Sequence, residues 1–511
     1  MRFERTKNAK RNIKWGLFNQ FITIVGPFIL RTIILQTLGT EYLGVSSLFT
    51  SILHVLNLAE LGFSSAIVYN MYEPVATDDT ETVCALLRLY KRIYYIIGTV
   101  ILTVGLLLLP FLKQLIKGGY PEDISLYTVY LIYLTDVCSG YFVLAYKSCL
   151  LTVHQRNDII SKVSLITKSL VYTLQALLLL KFNSYMIYIV ILPLYNIINN
   201  IVCAYIASKK YPQYVCAGNV DDIIRKNIKT QVGGLMITKI AGTTRNSFDN
   251  IILSAFIGIN IVGIYGNYYY ILTGVESVLL VLLRSLSSGV GNSVAVESVE
   301  KNYCDFKKIT FTYAWLASWC AVCMMSLYQP FMVIWAGPDK LFPTSIVALI
   351  CTYFWALTTG DVPSIYIDAT GIWWKYKLKA VVEAISNLVL NLLLVNVMGI
   401  TGIVLATIIT RVIFGFIWGE IILFRQYFGR ERMTEYFMRY IAYSVTTVVT
   451  AYISFSLCEM VKKTGFSGLI LRMMICSLVS ALGFACVFCQ TDEFKQMRWM
   501  AAKVLLRRKG L

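Results

Sequence analysis

Long apolar stretches and short charged ones alternate along this chain, and the apolar stretches number fourteen. They cover 13–36, 43–70, 93–112, 124–146, 159–181, 185–207, 230–258, 262–284, 309–335, 344–369, 379–396, 402–424, 439–460 and 468–489. Most come close to the roughly 20 residues that a helix needs to cross a ~30 Å hydrocarbon core. In such a core every backbone polar group must be satisfied within the protein, which makes helices the expected element. The pattern predicts an all-α integral membrane protein with about 14 transmembrane helices.

The charges between the stretches fix a topology. With the N-terminus placed in the cytoplasm, 34 of the 46 Lys and Arg residues fall in inner segments. The outer segments hold Lys113, Lys117, Lys181, Lys340, Lys462 and Lys463. Cytoplasmic loops retain Lys and Arg, so the bias supports an even number of spans with both termini cytoplasmic. The six cations left over lie inside spans: Arg31, Lys168, Lys239, Arg245, Arg411 and Arg472.

Composition narrows the class. The chain is 57% hydrophobic and 14% charged, so a soluble protein is excluded. A formal charge of +18 could suggest nucleic acid. Positives in short inner loops instead set topology and meet anionic lipid, and no nucleic-acid partner is expected. The basic N-terminus runs into a full-length span without a cleavage site. Thirteen cysteines include Cys320-Ala-Val-Cys323 and Cys486-Val-Phe-Cys489. Each pair lies in an apolar helix, and only His54 and His154 could add nitrogen ligands, so small packing residues are expected rather than a metal site. There is no GxxxxGK[ST], HExxH or Gly-x-Ser-x-Gly, and no long loop to carry a catalytic pair. No enzyme is expected.

The chain also repeats itself. Leu38-Gly-Thr-Glu-Tyr-Leu-Gly-Val45 aligns with Ile257-Gly-Ile-Asn-Ile-Val-Gly-Ile264, 219 positions later. Each follows a span carrying cations and opens the next after a short outer turn. The repeat suggests two pseudo-symmetric six-helix lobes plus two C-terminal helices, the lobes being parallel repeats. The domains expected are an N-lobe at 1–208, a cytoplasmic linker at 209–229, a C-lobe at 230–438, two further spans at 439–489 and a basic tail at 490–511. The tail from Glu493 should lie on the inner leaflet with Phe494, Met497, Met500, Val504 and Leu505 toward lipid.

Four spans are too polar for lipid. Asn19, Thr23, Pro27 and Arg31 are stepped by four along the first. A lipid-facing Arg costs at least ~2.5 kcal/mol near the membrane centre, so Arg31 faces protein or water, or snorkels to the outer interface. The seventh span holds Thr238, Lys239, Gly242, Arg245, Asn246 and Asp249, with Thr238, Gly242, Arg245 and Asp249 on one face. An internal Arg245–Asp249 pair is the structural alternative, but a water-filled cavity accounts for all of these residues. His54, Asn57, Glu60 and Ser64 stripe the second span, and Tyr265, Tyr269, Thr273 and Glu276 the eighth. Aromatic faces suit sugar rings, and they also suit an interfacial belt. Glu60 and Glu276 are candidates for an ion site or for a helix-end contact. Arg411 has no evident partner, and Glu383 and Glu420 read as structural.

The stretch from Arg31 through Leu38-Gly-Thr-Glu-Tyr-Leu-Gly-Val45 to Leu53 resembles bacterial polysaccharide repeat-unit flippases, and so do Ala59-Glu-Leu-Gly-Phe63 and Tyr69-Asn-Met-Tyr-Glu-Pro74. Asn246-Ser-Phe-Asp-Asn-Ile-Ile-Leu-Ser254 and Gly258-Ile-Asn-Ile-Val-Gly-Ile-Tyr-Gly-Asn-Tyr268 are similar to the same family. It forms the polysaccharide-transport branch of the multidrug/oligosaccharidyl-lipid/polysaccharide exporter superfamily. The resemblance implies a MATE-like fold with a cavity lined mainly by spans 1, 2, 7 and 8. It also implies an undecaprenyl-diphosphate-linked oligosaccharide substrate, alternating access and a place in the bacterial cytoplasmic membrane. Polysaccharide polymerase and glycosyltransferases would be partners beside membrane lipid. A pyrophosphate crossing a low-dielectric core needs fixed cations. The substrate-binding candidates are therefore Arg31, Lys239, Arg245, Asn246 and Tyr269. The ion-coupling candidates are Glu60, Asp249 and Glu276, with H+ or Na+ as the ion and no other cofactor. The alternative is a cation-coupled multidrug antiporter of the same fold.

Overall fold

The computed structural model describes residues 5–498 apart from 61, 223, 227, 229–231 and 233–246. The described residues form helices joined by turns, with no strand among them. Eleven of these helical segments are long and apolar enough to cross a membrane. A twelfth qualifies if Leu126–Phe142 and Ala145–Val153, bent by 45°, count as one. The expected fourteen are thus not all continuous helices among the described residues. The span at 43–70 is broken, and most of 230–258 lies outside the described residues.

The chain divides into two compact units, Met1–Gly266 and Asn267–Leu511. In the first unit α1 (Arg5–Thr37) runs unbroken through Pro27 and packs along α7 (Asn157–Phe182). The stripe on α1 is part of that seam, because Lys168 Nζ donates to Thr23 Oγ1 at 2.7 Å. Lys168 is therefore anchored to a neighbouring helix rather than extended to the interface.

α2 (Thr40–Leu56) stops at a 3-10 turn, Asn57–Glu60, and α3 (Phe63–Ala76) begins after Gly62, whose φ is +104°. A left-handed residue cannot continue a right-handed helix, so this span is two helices with a polar break. α4 (Thr80–Leu107) starts at Asp79, whose carboxylate accepts from Thr82 N at 3.0 Å. α5 (Leu126–Phe142) packs against α2 through Phe49, edge-on to Tyr130 at 5.3 Å. α6 (Ser148–Val153), α8 (Tyr185–Val190) and α9 (Leu192–Lys210) complete this part. Residues 247–256 form α10, and α11 (Ile259–Arg284) carries the unit boundary.

In the second unit the expected inner loop at 285–308 is largely helical. α12 (Ser287–Val296) fills most of it, and α13 (Val299–Ala336) begins ten residues before the expected span, capped by Ser298. α14 (Thr344–Thr358) and α15 (Asp361–Thr370) follow, then α16 (Trp373–Met398) and α17 (Ile400–Thr410). The chain continues through a π-helical stretch, Arg411–Trp418, into α18 (Gly419–Leu423). α19 (Met433–Glu459) and α20 (Gly465–Phe488) pack on α13 around an aromatic core in which Trp315 stacks on Phe484 at 5.8 Å.

The tail departs from expectation at Phe494. Residues 492–498 are helical, and Phe494 is buried against Trp315 instead of facing lipid. Arg439 holds the adjoining Glu493 at 2.8 Å. Met500, Val504 and Leu505 lie outside the described residues.

Candidate functional site

The internal repeat forms a contact with itself. Gly39 and Gly258 occupy equivalent positions, and both have positive φ, +112° and +134°. Each makes the sharp turn that opens the next helix, α2 or α11, and a side chain there would strain the backbone. Five residues on, Gly44 and Gly263 are again equivalent. A Cβ on Gly44 would lie 2.1 Å from Ile259 O. A Cβ on Gly263 would lie 2.1 Å from Thr40 O. Thr40 and Ile259 are themselves equivalent, so the two closest approaches are the same contact made twice, in exchange. The Thr40 hydroxyl completes the junction by donating to Asn260 Oδ1.

Arg31 sits directly behind this junction. Its Nη2 is 3.5 Å from Gly263 O, and a Cβ on Gly266 would meet it at 2.6 Å. Ser47 Oγ lies 3.1 Å from that same Gly266 position. The guanidinium is thus seated in a space left by a glycine beside a hydroxyl, rather than snorkelling away from its helix. On α10, Asn250 Nδ2 donates to Ser51 Oγ at 2.9 Å, and its buried Oδ1 has no hydrogen-bond partner among the described residues. Asp249 is 3% exposed on the same helix. Lys117 Nζ donates to Phe256 O at 2.7 Å and caps the end of α10. Arg31, Asp249 and Asn250 all belong to the first unit. Lys239, Arg245 and Asn246 lie outside the described residues.

Glu60 has a separate setting in the break between α2 and α3. Tyr94 donates to Oε1 at 2.9 Å and Tyr141 to Oε2 at 3.0 Å. Tyr90 hydroxyl is 2.8 Å from both Tyr94 hydroxyl and Ser64 Oγ, which extends the chain of hydroxyls past the break. The stripe on the second span does not reveal this cage, whose one sequence signal is the spacing of Tyr90 and Tyr94 by four on one face of α4. His54, placed on the same stripe by spacing, is exposed and stands apart from it.

Tyr269 and Glu276 belong to the second unit. They are seven residues apart on α11, hence on one face, and both are partly exposed. Within the run Tyr268-Tyr269-Tyr270 only Tyr268 is core: it is fully buried and donates to Gln329 Oε1 at 2.9 Å. Among the described residues no group of three His, Cys, Asp or Glu side chains could hold a metal ion. All thirteen cysteines are free thiols.

The fold has solved relatives. The chain is similar to the lipid II flippase MurJ in an inward closed conformation, with a TM-score of 0.64 at 14% identity over 93% of this chain and 99% of that one. It is similar to an inward-facing multidrug resistance MATE family transporter, with a TM-score of 0.61 at 16% identity over 77% and 93%. A third likeness is to a MOP superfamily transporter from Pyrococcus furiosus whose binding pocket is described as of reverse polarity, with a TM-score of 0.56 at 15% identity over 82% and 95%. At such identities the likeness is one of fold. No curated protein matches the chain by sequence. The profile of the family described as polysaccharide biosynthesis protein matches residues 9–286, more than half of the chain, and the chain belongs to that family, within the multidrug/oligosaccharidyl-lipid/polysaccharide exporter superfamily.

Proposed function

We propose that this protein flips undecaprenyl-diphosphate-linked oligosaccharide repeat units across the bacterial cytoplasmic membrane by alternating access. The product would feed the synthesis of a surface polysaccharide such as capsule, O-antigen or exopolysaccharide. The observation that carries this reading is Arg31, a guanidinium inside a membrane helix, seated beside Gly266, Ser47 and the self-repeating junction. Arg offers a bidentate fork that fits a phosphate, and a fixed cation lowers the cost of moving an anion through a low-dielectric core. Arg245, with Lys239 and Asn246, would supply the matching contact from the C-lobe at 230–438, and Tyr269 a face for sugar. The two exchanged glycine contacts suit a junction that closes tightly and parts as a unit. Likeness of fold to a flippase whose name specifies lipid II supports a lipid-linked substrate.

The test is export of lipid-linked glycan at matched membrane levels of each variant. Arg31→Ala and Arg245→Ala should each reduce flipping about ten- to hundredfold, since a charge-assisted contact contributes roughly 1.5–3 kcal/mol. Arg→Lys should retain folding with reduced flipping. Normal export from both alanine variants would place the anion elsewhere.

We also propose that transport is coupled to H+ or Na+ through Glu60, Asp249 or Glu276. Burial of Asp249 and the hydroxyl cage around Glu60 support this. Transport in vesicles with an imposed gradient should weaken in Asp249→Asn. Equal wild-type rates with and without any ion gradient would remove coupling altogether. A multidrug antiporter of the same fold has comparable structural likeness. Intramembrane cations such as Arg31 argue against it, because they repel cationic drugs.

A further inference from the structure

In the second unit a cluster of Lys379, Glu383 and Glu420, all buried, with the half-buried Arg411, has no part in the proposed pathway. Tyr376, Lys379 and Glu383 lie on one face of α16, spaced by three and four. The segment after α17 brings Arg411 and Glu420 against them. Lys379 Nζ is 3.0 Å from Glu383 Oε2, and Arg411 Nη1 is 3.8 Å from Glu383 Oε1. Arg411 Nη2 donates to Leu357 O at 2.9 Å, and the Tyr376 hydroxyl donates to Gly419 O. Gly415 makes the approach possible, since a Cβ there would meet Arg411 Cδ at 2.8 Å and Glu383 Oε1 at 3.2 Å. Both helical segments concerned, Trp374–Met398 and Ile400–Phe428, are apolar enough to cross a membrane.

Lys379 begins the span expected at 379–396, and Glu420 reads from the sequence as structural; both side chains are buried. Glu420 is 2% exposed, and its Oε2 has no hydrogen-bond partner among the described residues. A network serving only to hold two helices would complete that carboxyl, or be replaced by apolar packing without loss. The π-helical stretch Arg411–Trp418 leads directly to Glu420, and such widened turns are rare and frequently found at functional sites.

We propose that Glu420 is a proton-binding site exchanged during the transport cycle, with Lys379 and Arg411 balancing its charge. The inference rests on the ion-coupled transport proposed above and assigns it a site in the second unit. With both carboxyls ionised, Lys379, Arg411, Glu383 and Glu420 sum to zero. With Glu420 protonated, Oε2 becomes able to donate instead of standing without a donor. Protonation of Glu420 leaves the four groups at +1, so uptake and release of the proton change the cluster by one net charge. The other groups facing Glu420 are Tyr376 from α16 and Tyr436 and Tyr440 from α19. Asp361 of α15 faces Arg411, and its carboxylate accepts from Tyr313 at 2.5 Å.

The experiment is infrared difference spectroscopy of the purified full chain in lipid nanodiscs through pH steps, read at the protonated-carboxyl stretch. A titrating band should be present in the wild type, absent in Glu420→Gln and retained in Asp361→Asn. In Lys379→Met, which loses a neighbouring positive charge, the midpoint should rise by about one pH unit or more. An unchanged band in Glu420→Gln, or an unmoved midpoint in Lys379→Met, would overturn the assignment. In vesicles, the ratio of glycan export with and without a pH gradient should fall to one in Glu420→Gln. A merely structural role would lower both rates and preserve the ratio. A wild type that exports no lipid-linked glycan would sink the flippase reading, while the infrared titration would still decide whether Glu420 binds the proton.

Discussion

Single residues that are costly where they stand carried the most information. Arg31 stood out in the sequence because a guanidinium within an apolar helix requires polar surroundings, and the structure supplies them at Gly263, Gly266 and Ser47. Glu383 reads as structural because Lys379 stands four residues before it on one helix, and its second cation, Arg411, comes from another segment that no single-helix spacing joins to it. His154 is a further case. It lies between α6 and α7, stacked on Tyr211 at 3.9 Å, with Nδ1 2.7 Å from Leu150 O. Burial lowers its pKa below the ordinary value of 6.5, outweighing the Leu150 carbonyl and Asp78. The folded chain therefore binds this proton less tightly than the unfolded chain. Stability tied to neutral His154 is present above pH 6.5 and is lost as pH falls below it. Thermal unfolding of the wild type in detergent should show that loss between pH 7 and pH 5.5, and His154→Gln should show less of it. Parallel losses would mean that His154 does not report on the loop.

At the scale of elements, apolar length predicted where helices run but not where they break. Eleven segments emerge as continuous candidates for crossing a membrane. The second span divides at Asn57–Gly62 because Gly62 turns left-handed and Glu60 is satisfied by tyrosines from other helices, which hydropathy cannot register. The repeat was legible as an eight-residue alignment, whereas its exchanged packing was not, since a glycine at equal spacing does not say what it touches. That packing makes a definite prediction. A Cβ 2.1 Å from a backbone carbonyl cannot be absorbed by rotating a side chain, so α2 and the start of α11 must separate. Overpacking of this kind costs about 1–3 kcal/mol. In a Thr40→Cys/Asn260→Cys pair, cross-linking by a short bis-thiol reagent should drop when Gly44→Leu or Gly263→Leu is added, and export should fall with it. Because both glycines serve one junction, the double variant should be little worse than either single. Unchanged cross-linking would show that the junction is not closed by these glycines.

For the whole molecule, the sequence argues a topology through the sorting of cations. With 34 Lys and Arg in one set of connecting segments and six in the other, reversing the orientation would expose nearly all of the retained charge to the outer face. The N-terminus, the 209–229 linker, the segment from 285 to 308 and the tail should accordingly be cytoplasmic. The helical character of 287–296 does not alter this, because its flanking cations Arg284, Lys301, Lys307 and Lys308 stay on the same side. The tail is pinned at its start by Arg439–Glu493 and by Phe494, so its side of the membrane should be that of Arg439. Labelling with a membrane-impermeant maleimide in intact cells tests this directly. The background should carry Ser at the exposed Cys304, Cys486 and Cys489, which would otherwise compete. Lys340→Cys, in the short turn between α13 and α14, should react readily, and Lys509→Cys should react only after the membrane is opened. Equal reaction at both positions in intact cells would overturn the orientation.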